Sequence, residues 1–159
     1  VDVGLAAAQV AGAVRKIAGD VVAYSATEIG ELAEAAPGGS SSMPHKANPA
    51  AAVACDGYAR RTPALASTLL DSLDCRWQRG VGSWHAEWQT LRDLLAATAS
   101  AVSRIQASLD GIRVDTDAMA RNIALTGHDL NNIHTGHAGD IVDAALRQQE
   151  GHHDGLRDE

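Results

Sequence analysis

Between Trp84 and Leu109 one set of positions recurs at spacings of four and three: Trp84, Trp88, Leu91, Leu95, Thr98, Val102, Ile105 and Leu109. That rhythm keeps successive side chains on one stripe of an α-helix and marks the seam of a long bundle or coiled-coil helix. A strand cannot use it, because strand side chains alternate faces with a period of two. An earlier segment repeats the pattern through Val10, Val14, Ile17, Val21 and Tyr24, which predicts a helix from about Val3 to Leu32. Much of its remaining surface is Ala and Gly, so a neighbouring helix can approach closely. Aromatics make up 3% of the chain, Phe is absent, and β-branched residues never alternate with polar ones over a strand's length. The expected fold class is therefore all-α: a long-helix bundle followed by a small helical C-terminal unit.

Between the two rhythmic segments, Ala36-Pro37-Gly38-Gly39-Ser40-Ser41-Ser42-Met43-Pro44 packs prolines, glycines and serines into one short stretch and predicts a pliable loop over 36–49. Asn48 and Pro49 read as the cap and first residue of a new helix, since Asn accepts an orphan N–H and Pro needs no partner there. That helix should run toward Leu73, with a kink at Pro63. Asp74 to Gly82 reads as a turn. Gly111 breaks the long helix, Asp115 caps another through Leu125, Gly127 ends it, and a last helix covers about Ala138 to Gln149. These signals give a bundle segment over 1–110, a small helical domain over 111–149, and a disordered tail over 150–159 with little apolar surface to bury.

Charge and cysteine usage narrow the partners. A formal charge of −7 without a dense Lys/Arg run argues against nucleic acid or an anionic membrane surface. Any anionic substrate must then be met by locally placed cations. Cys55 and Cys75 are too few for a disulfide framework, and no apolar run approaches the roughly 18–20 residues of a membrane span. A reduced, cytoplasmic setting is expected. The start at Val1-Asp2-Val3-Gly4 lacks an initiating Met and a leader pattern, and reads as the interior of a longer protein.

Chemistry concentrates in the loop. Hydroxyls and backbone N–H groups of the Gly39–Ser42 stretch can close over a carboxylate, Lys46 supplies positive charge, and Asn48 offers an amide beside a helix N-terminus that favours anions. On composition alone the better reading of the same stretch is an ordinary linker ending in a helix cap.

The full order, Gly39-Ser40-Ser41-Ser42-Met43-Pro44-His45-Lys46-Ala47-Asn48-Pro49, resembles the Gly-Ser-Ser-x-Met-Pro-x-Lys-x-Asn-Pro signature of the fumarase/aspartase superfamily, with every fixed position matched. The resemblance extends back through Lys16-Ile17-Ala18 and Thr27-Glu28-Ile29-Gly30-Glu31. It extends forward through Arg79-Gly80-Val81-Gly82-Ser83-Trp84-His85-Ala86-Glu87-Trp88, which is similar to the corresponding stretch of the 3-carboxy-cis,cis-muconate cycloisomerases. Membership of that branch would imply the C-terminal part of a subunit of a cofactor-free enzyme that turns a small polycarboxylate, 3-carboxy-cis,cis-muconate, into 4-carboxymuconolactone during protocatechuate degradation. Ser40 would be the catalytic base, with Ser41, Met43, Lys46, Asn48 and Arg79 binding substrate. The resemblance further implies a homotetramer whose active sites are each shared by three subunits, so that this segment alone forms no working site. Ala47 departs from the Arg usual in cycloisomerases, and Trp77 and Gln78 stand where a His-Glu pair commonly precedes the Arg. Two other readings stay open: a different superfamily lyase such as adenylosuccinate lyase, and a non-catalytic helical assembly piece.

Remaining polar clusters carry less. His134, His137 and Asp140 share a helix face, but Gly136 interrupts the helix start and no further ligand joins them, so no metal site is expected. The same holds for His152-His153-Asp154 in the tail. His85 and Glu87 invite an acid–base role, yet they border the hydrophobic seam, and the Trp84/Trp88 pair suits packing.

Overall fold

The computed structural model describes residues 1–43, 46–127 and 136–155. In order these form α1 (Asp2–Tyr24), β1 (Leu32–Ala33), α2 (Ala50–Ala59), α3 (Thr62–Asp71), α4 (Ser83–Leu109), β2 (Arg113–Val114), α5 (Thr116–Thr126) and α6 (Ala138–Gly155). The chain is mostly helical, as the four-three rhythm demands. Its strands are a two-residue antiparallel pair in the register Leu32↔Val114 and Ala33↔Arg113.

The first compact unit covers Val1–Asn122. Gly4 lies against Leu94, and the Thr98 hydroxyl donates to the Ala7 carbonyl at 3.2 Å, so α1 and α4 ascend together. Leu69 packs against Gly4 while Cys55 reaches the Val14 carbonyl, so the α2–α3 arm descends between them. Two clusters fill the interior. One joins Ala11, Ala18 and Val21 of α1 to Ala52, Cys55 and Ala59 of α2 and to Ala101 and Ile105 of α4. The other joins Ala7, Ala66, Leu69 and Leu94. Small side chains dominate the first, which lets its helices approach closely, whereas the second sets Leu69 and Leu94 among alanines. A Cβ added at Gly4 would run into the Leu69 side chain.

The long seam divides. Thr98 and Ile105 are buried and Leu91 packs against the second cluster, whereas Trp88, Leu95, Val102 and Leu109 are 37–52% exposed. On α1 the stripe also divides: Val21 is buried and Val14 packs against the first cluster, while Val10, Ile17 and Tyr24 are exposed. A stripe of a and d positions is wide enough to face two neighbours, and this chain covers only one side.

Several boundaries differ from the sequence expectation. α1 stops at Tyr24 rather than near Leu32: turns follow it, the Glu31 N–H bonds the Tyr24 carbonyl at 2.9 Å, Gly30 takes a left-handed φ of +66°, and Leu32-Ala33 pairs with β2 instead of continuing the helix. The kink expected at Pro63 is a full break at Arg60-Arg61. Pro63 sits in the first turn of α3, where its missing N–H has no partner to lose, and the Thr62 hydroxyl caps the Ala59 carbonyl at 2.8 Å. The first unit also runs past residue 110. The Asp115 N–H bonds the Glu31 carbonyl at 2.9 Å, and the Asn122 amide donates to the Ile29 carbonyl and to Glu31 Oε1, tying the start of α5 to the turn after α1.

The second unit, Ile123–Glu159, holds the end of α5, a turn at Gly127 with φ +68°, and α6. α6 continues beyond Gln149 to Gly155, through residues expected to lack regular structure; Gln148, Gln149 and Glu150 are good helix formers. Ile141, Val142 and Leu146 are exposed on it. No helix among the described residues is long and apolar enough to cross a membrane.

One ion pair crosses the bundle surface. Arg15 Nε meets Asp56 Oδ1 at 2.8 Å, and Arg60 holds the other oxygen. The Arg60 and then the Arg15 guanidinium hold the Asp56 carboxyl below its ordinary value of 3.8. A carboxyl whose folded pKa is depressed contributes stability that is fully present above the unfolded value and is lost as pH falls through the folded one. Acidification below about pH 4 therefore weakens the α1–α2 link, by less than about 1 kcal/mol for a pair this exposed. Asp56→Asn is expected to flatten the acid limb of a melting-temperature-versus-pH curve. An unchanged limb would show that other carboxylates set acid stability.

Candidate active site

The serine loop leaves the bundle through a narrow neck. Gly38 and Asn48 form an isolated antiparallel bridge, each N–H donating to the other's carbonyl at 2.8 Å. A Cβ on Gly38 would stand 2.9 Å from that of Ala50, so the neck closes only around glycine. Below the bridge Glu34, 3% exposed, accepts the Ala51 N–H at 3.2 Å on one carboxylate oxygen and the Ala52 N–H at 2.9 Å on the other. The expected cap is thereby corrected. Asn48 spends its backbone on the bridge, Pro49 takes the N-cap position without a side-chain bond, and α2 begins at Ala50. Glu34 caps the helix from the other side of the loop.

Above the neck the loop is organised by its own short bonds. Ser40 Oγ accepts the Met43 N–H at 3.2 Å and lies 3.5 Å from Ser42 Oγ, while the Lys46 N–H donates to the Met43 carbonyl at 3.0 Å. An N–H aimed at a hydroxyl oxygen favours negative charge on it, the direction a serine must move to take a proton. Ser41, Met43 and Lys46 are exposed, and Ser40 and Asn48 are half-buried. Pro44 and His45 lie outside the described residues. The loop thus gathers Ser40, Ser41, Met43, Lys46 and Asn48 on one structure, with Met43 contributing through its backbone.

Arg79 lies elsewhere. It occupies the turn before α4 in a left-handed conformation, φ +59°, with its guanidinium 5.6 Å from the centre of the Trp84 ring. Trp84 meets Trp88 edge-on at 4.8 Å, and His85 stands 5.1 Å from Trp88. Beside them Cys75 Sγ donates to the Trp77 carbonyl and accepts the Gly80 N–H at 3.2 Å, lining a shallow cavity of about 340 Å³ with Arg76, Arg79 and Glu87. This turn follows the end of α3, whereas the serine loop precedes the start of α2. The helical rise between them is about 30 Å. Leu69 of α3 lies at Gly4 while Cys55 of α2 lies at Val14, so Arg79 and Lys46 stand toward opposite ends of the bundle.

Elsewhere, His137 Nδ1 meets Asp140 Oδ2 at 3.2 Å on an exposed face, and His134 and the side chains of 152–154 lie outside the described residues. Among the described residues no three His, Cys, Asp or Glu side chains converge as metal ligands would. Burial pushes the Cys55 thiol up, away from the reactive thiolate. Sequence reasoning missed Glu34. Its one signal was an acid set among alanines in Leu32-Ala33-Glu34-Ala35-Ala36.

Residues 1–63, which span α1, the loop and α2, match the family model described as lyase. The chain belongs to the fumarase/aspartase lyase superfamily. This lyase segment is 44% identical over 120 residues to a 3-carboxy-cis,cis-muconate cycloisomerase of Pseudomonas putida, a match covering 74% of this chain and 28% of the relative. It is 40% identical over 132 residues to a nitrosuccinate lyase of Streptomyces davaonensis, covering 81% of this chain and 28% of that one. The crystal structure of 3-carboxy-cis,cis-muconate lactonizing enzyme from Pseudomonas putida superposes with a TM-score of 0.70 at 38% identity, over 77% of this chain and 27% of that one. The chain therefore spans little more than a quarter of the length of the relatives it matches.

Proposed function

We propose that this chain carries the serine loop of an enzyme that converts 3-carboxy-cis,cis-muconate to 4-carboxymuconolactone without a cofactor, in the cytoplasmic degradation of aromatic acids through protocatechuate. The observation that carries the reading is the rooted loop itself: Ser40, Lys46 and Asn48 held on one neck at a helix entrance, in a chain similar to cycloisomerases over both its loop and its Trp-rich turn. In lactone closure one substrate carboxylate oxygen forms a C–O bond at one end of a double bond, and the neighbouring carbon takes a proton. Ser40 is the group that hands over that proton in closure and removes it in opening. Lys46 and Asn48 bind carboxylates and hold the enolate-like charge that develops beside the reacting carbon. Ser41 and the Met43 backbone complete the clamp.

Arg79 serves the same chemistry only from another copy of the chain, since about 30 Å of helical rise separates it from Lys46 within one chain. The exposed columns on α1 and α4 supply the surfaces on which such copies meet. Both features support a homotetramer with shared sites.

A second reading, elimination of an anion from a substituted succinate, draws support from the nitrosuccinate lyase relative, whose match extends over more of this chain. The same base and clamp suit it. The test supplies this chain alone, then joined to the remainder of a full-length subunit, with 3-carboxy-cis,cis-muconate and separately with nitrosuccinate, following ultraviolet absorbance. Lactone formation by the joined protein only is the expected result. Turnover of nitrosuccinate instead selects the second reading, and no turnover of either leaves a helical assembly piece.

A further inference from the structure

The geometry points to Glu34 as a positioning residue of the serine loop, one whose buried carboxylate fixes both roots of the loop and fills the anion-favouring start of α2 from within. The inference rests on the proposed reading of that loop as catalytic. Glu34 reaches across the loop, and each of its oxygens is matched to a separate N–H in the first turn of α2. Burying a carboxylate is costly unless charge and hydrogen bonds compensate it, and two N–H donors at a helix N-terminus supply both. One residue side of the loop is thereby bound to the other just below the Gly38–Asn48 bridge.

Two consequences follow for the chemistry. First, Asn48 and Lys46 stand immediately before the helix start that Glu34 holds, so a shift of that start displaces the amide and the ammonium together. Second, the first-turn N–H groups of Ala51 and Ala52 are already taken. A substrate carboxylate is thus left to Ser41, Lys46 and the Asn48 side-chain amide, and does not settle on the N–H groups of Ala51 and Ala52. Glu34 touches no reacting atom and acts through the residues above it.

Gln is the nearest isostere, but its NH2 group would face an N–H donor where an oxygen now accepts. In the full-length enzyme Glu34→Gln is expected to lower kcat about 100-fold, the scale of an ångström-sized misplacement of catalytic groups, with KM changed no more than about threefold. Leu94→Ala, which loosens the bundle far from the loop, should leave kcat of the folded enzyme within about twofold, so a loss of kcat is not read as mere destabilisation. Should Glu34→Gln fail to fold, Gly38→Ala strains the same neck from its other side and is expected to give the same loss of kcat.

Amide exchange on this chain tests the neck without substrate. The N–H groups of Gly38 and Asn48 should exchange about tenfold faster or more in Glu34→Gln, while that of Ala101 in the core is unchanged. Unchanged exchange at Gly38 and Asn48, or kcat retained in both neck variants, overturns the inference. Absence of turnover in the unmodified enzyme overturns the proposed reaction instead, and the exchange result still decides the role of Glu34 in fixing the roots.

Discussion

Alanine in place of Ser40 is expected to cut kcat of the full-length enzyme about 1,000-fold, within the range that a positioned proton-transfer group contributes, while substrate affinity changes little. The asymmetry follows from where the charge lies. In the resting loop Ser40 Oγ accepts the Met43 N–H and lies 3.5 Å from Ser42 Oγ, whereas in the proposed reaction it carries the proton in flight at the transition state, so removing it costs most at the barrier. Ser41→Ala in the same enzyme should act mainly through KM, because in the proposed clamp its exposed hydroxyl binds carboxylate in both the ground and transition states. Steady-state kinetics of the two variants side by side decides the assignment. Turnover retained in Ser40→Ala, or lost equally in both, would move the proton-transfer role to another group.

Leu94→Ala should be the costliest single truncation in the bundle. Leu94 is fully enclosed, is the largest of the fully buried side chains among the described residues, and joins α4 to both α1 and α3 through Ala7, Ala66 and Leu69. Leu69 beside it is already packed against the α1 backbone at Gly4, so the site cannot collapse far to refill the space. A loss of about 3 kcal/mol is expected from transfer and cavity terms together. For a chain of this size that corresponds to a melting temperature lower by about 10 °C. Leu95→Ala, one residue along and exposed, is the matched control and should fall within about 1 kcal/mol of the parent. Equal losses from the two would mean that the exposed column is covered and energetically committed in the sample measured.

The four-three rhythm of α4 was legible because more than twenty residues repeat it, and the helix runs Ser83–Leu109 where the seam predicts one. Which side of each seam faces inward was not legible. Periodicity marks a stripe, but only the packing of α2 and α3 decides that Ile105 goes in and Val102 stays out. The end of α1 was hidden for a related reason: Leu32 and Ala33 read as a continuing helix until a strand from eighty residues later pairs with them. At the site, the motif pointed to the serine loop, and the structure places Ser40, Ser41, Met43, Lys46 and Asn48 on that loop. It carried no distance, so Arg79 was grouped with residues at the other end of the bundle. Glu34 escaped because its partners are backbone groups, which leave no trace in side-chain composition.

The bundle leaves many of its larger apolar side chains uncovered. Alanine, glycine, threonine and serine fill much of its centre, while valine, isoleucine, leucine and tryptophan ring its outside. A protein arranged in this way has lent its most hydrophobic surface to whatever lies beyond it, and it recovers that free energy only when covered. In the proposed assembly its thermal midpoint would rise with the logarithm of the amount of covering protein present.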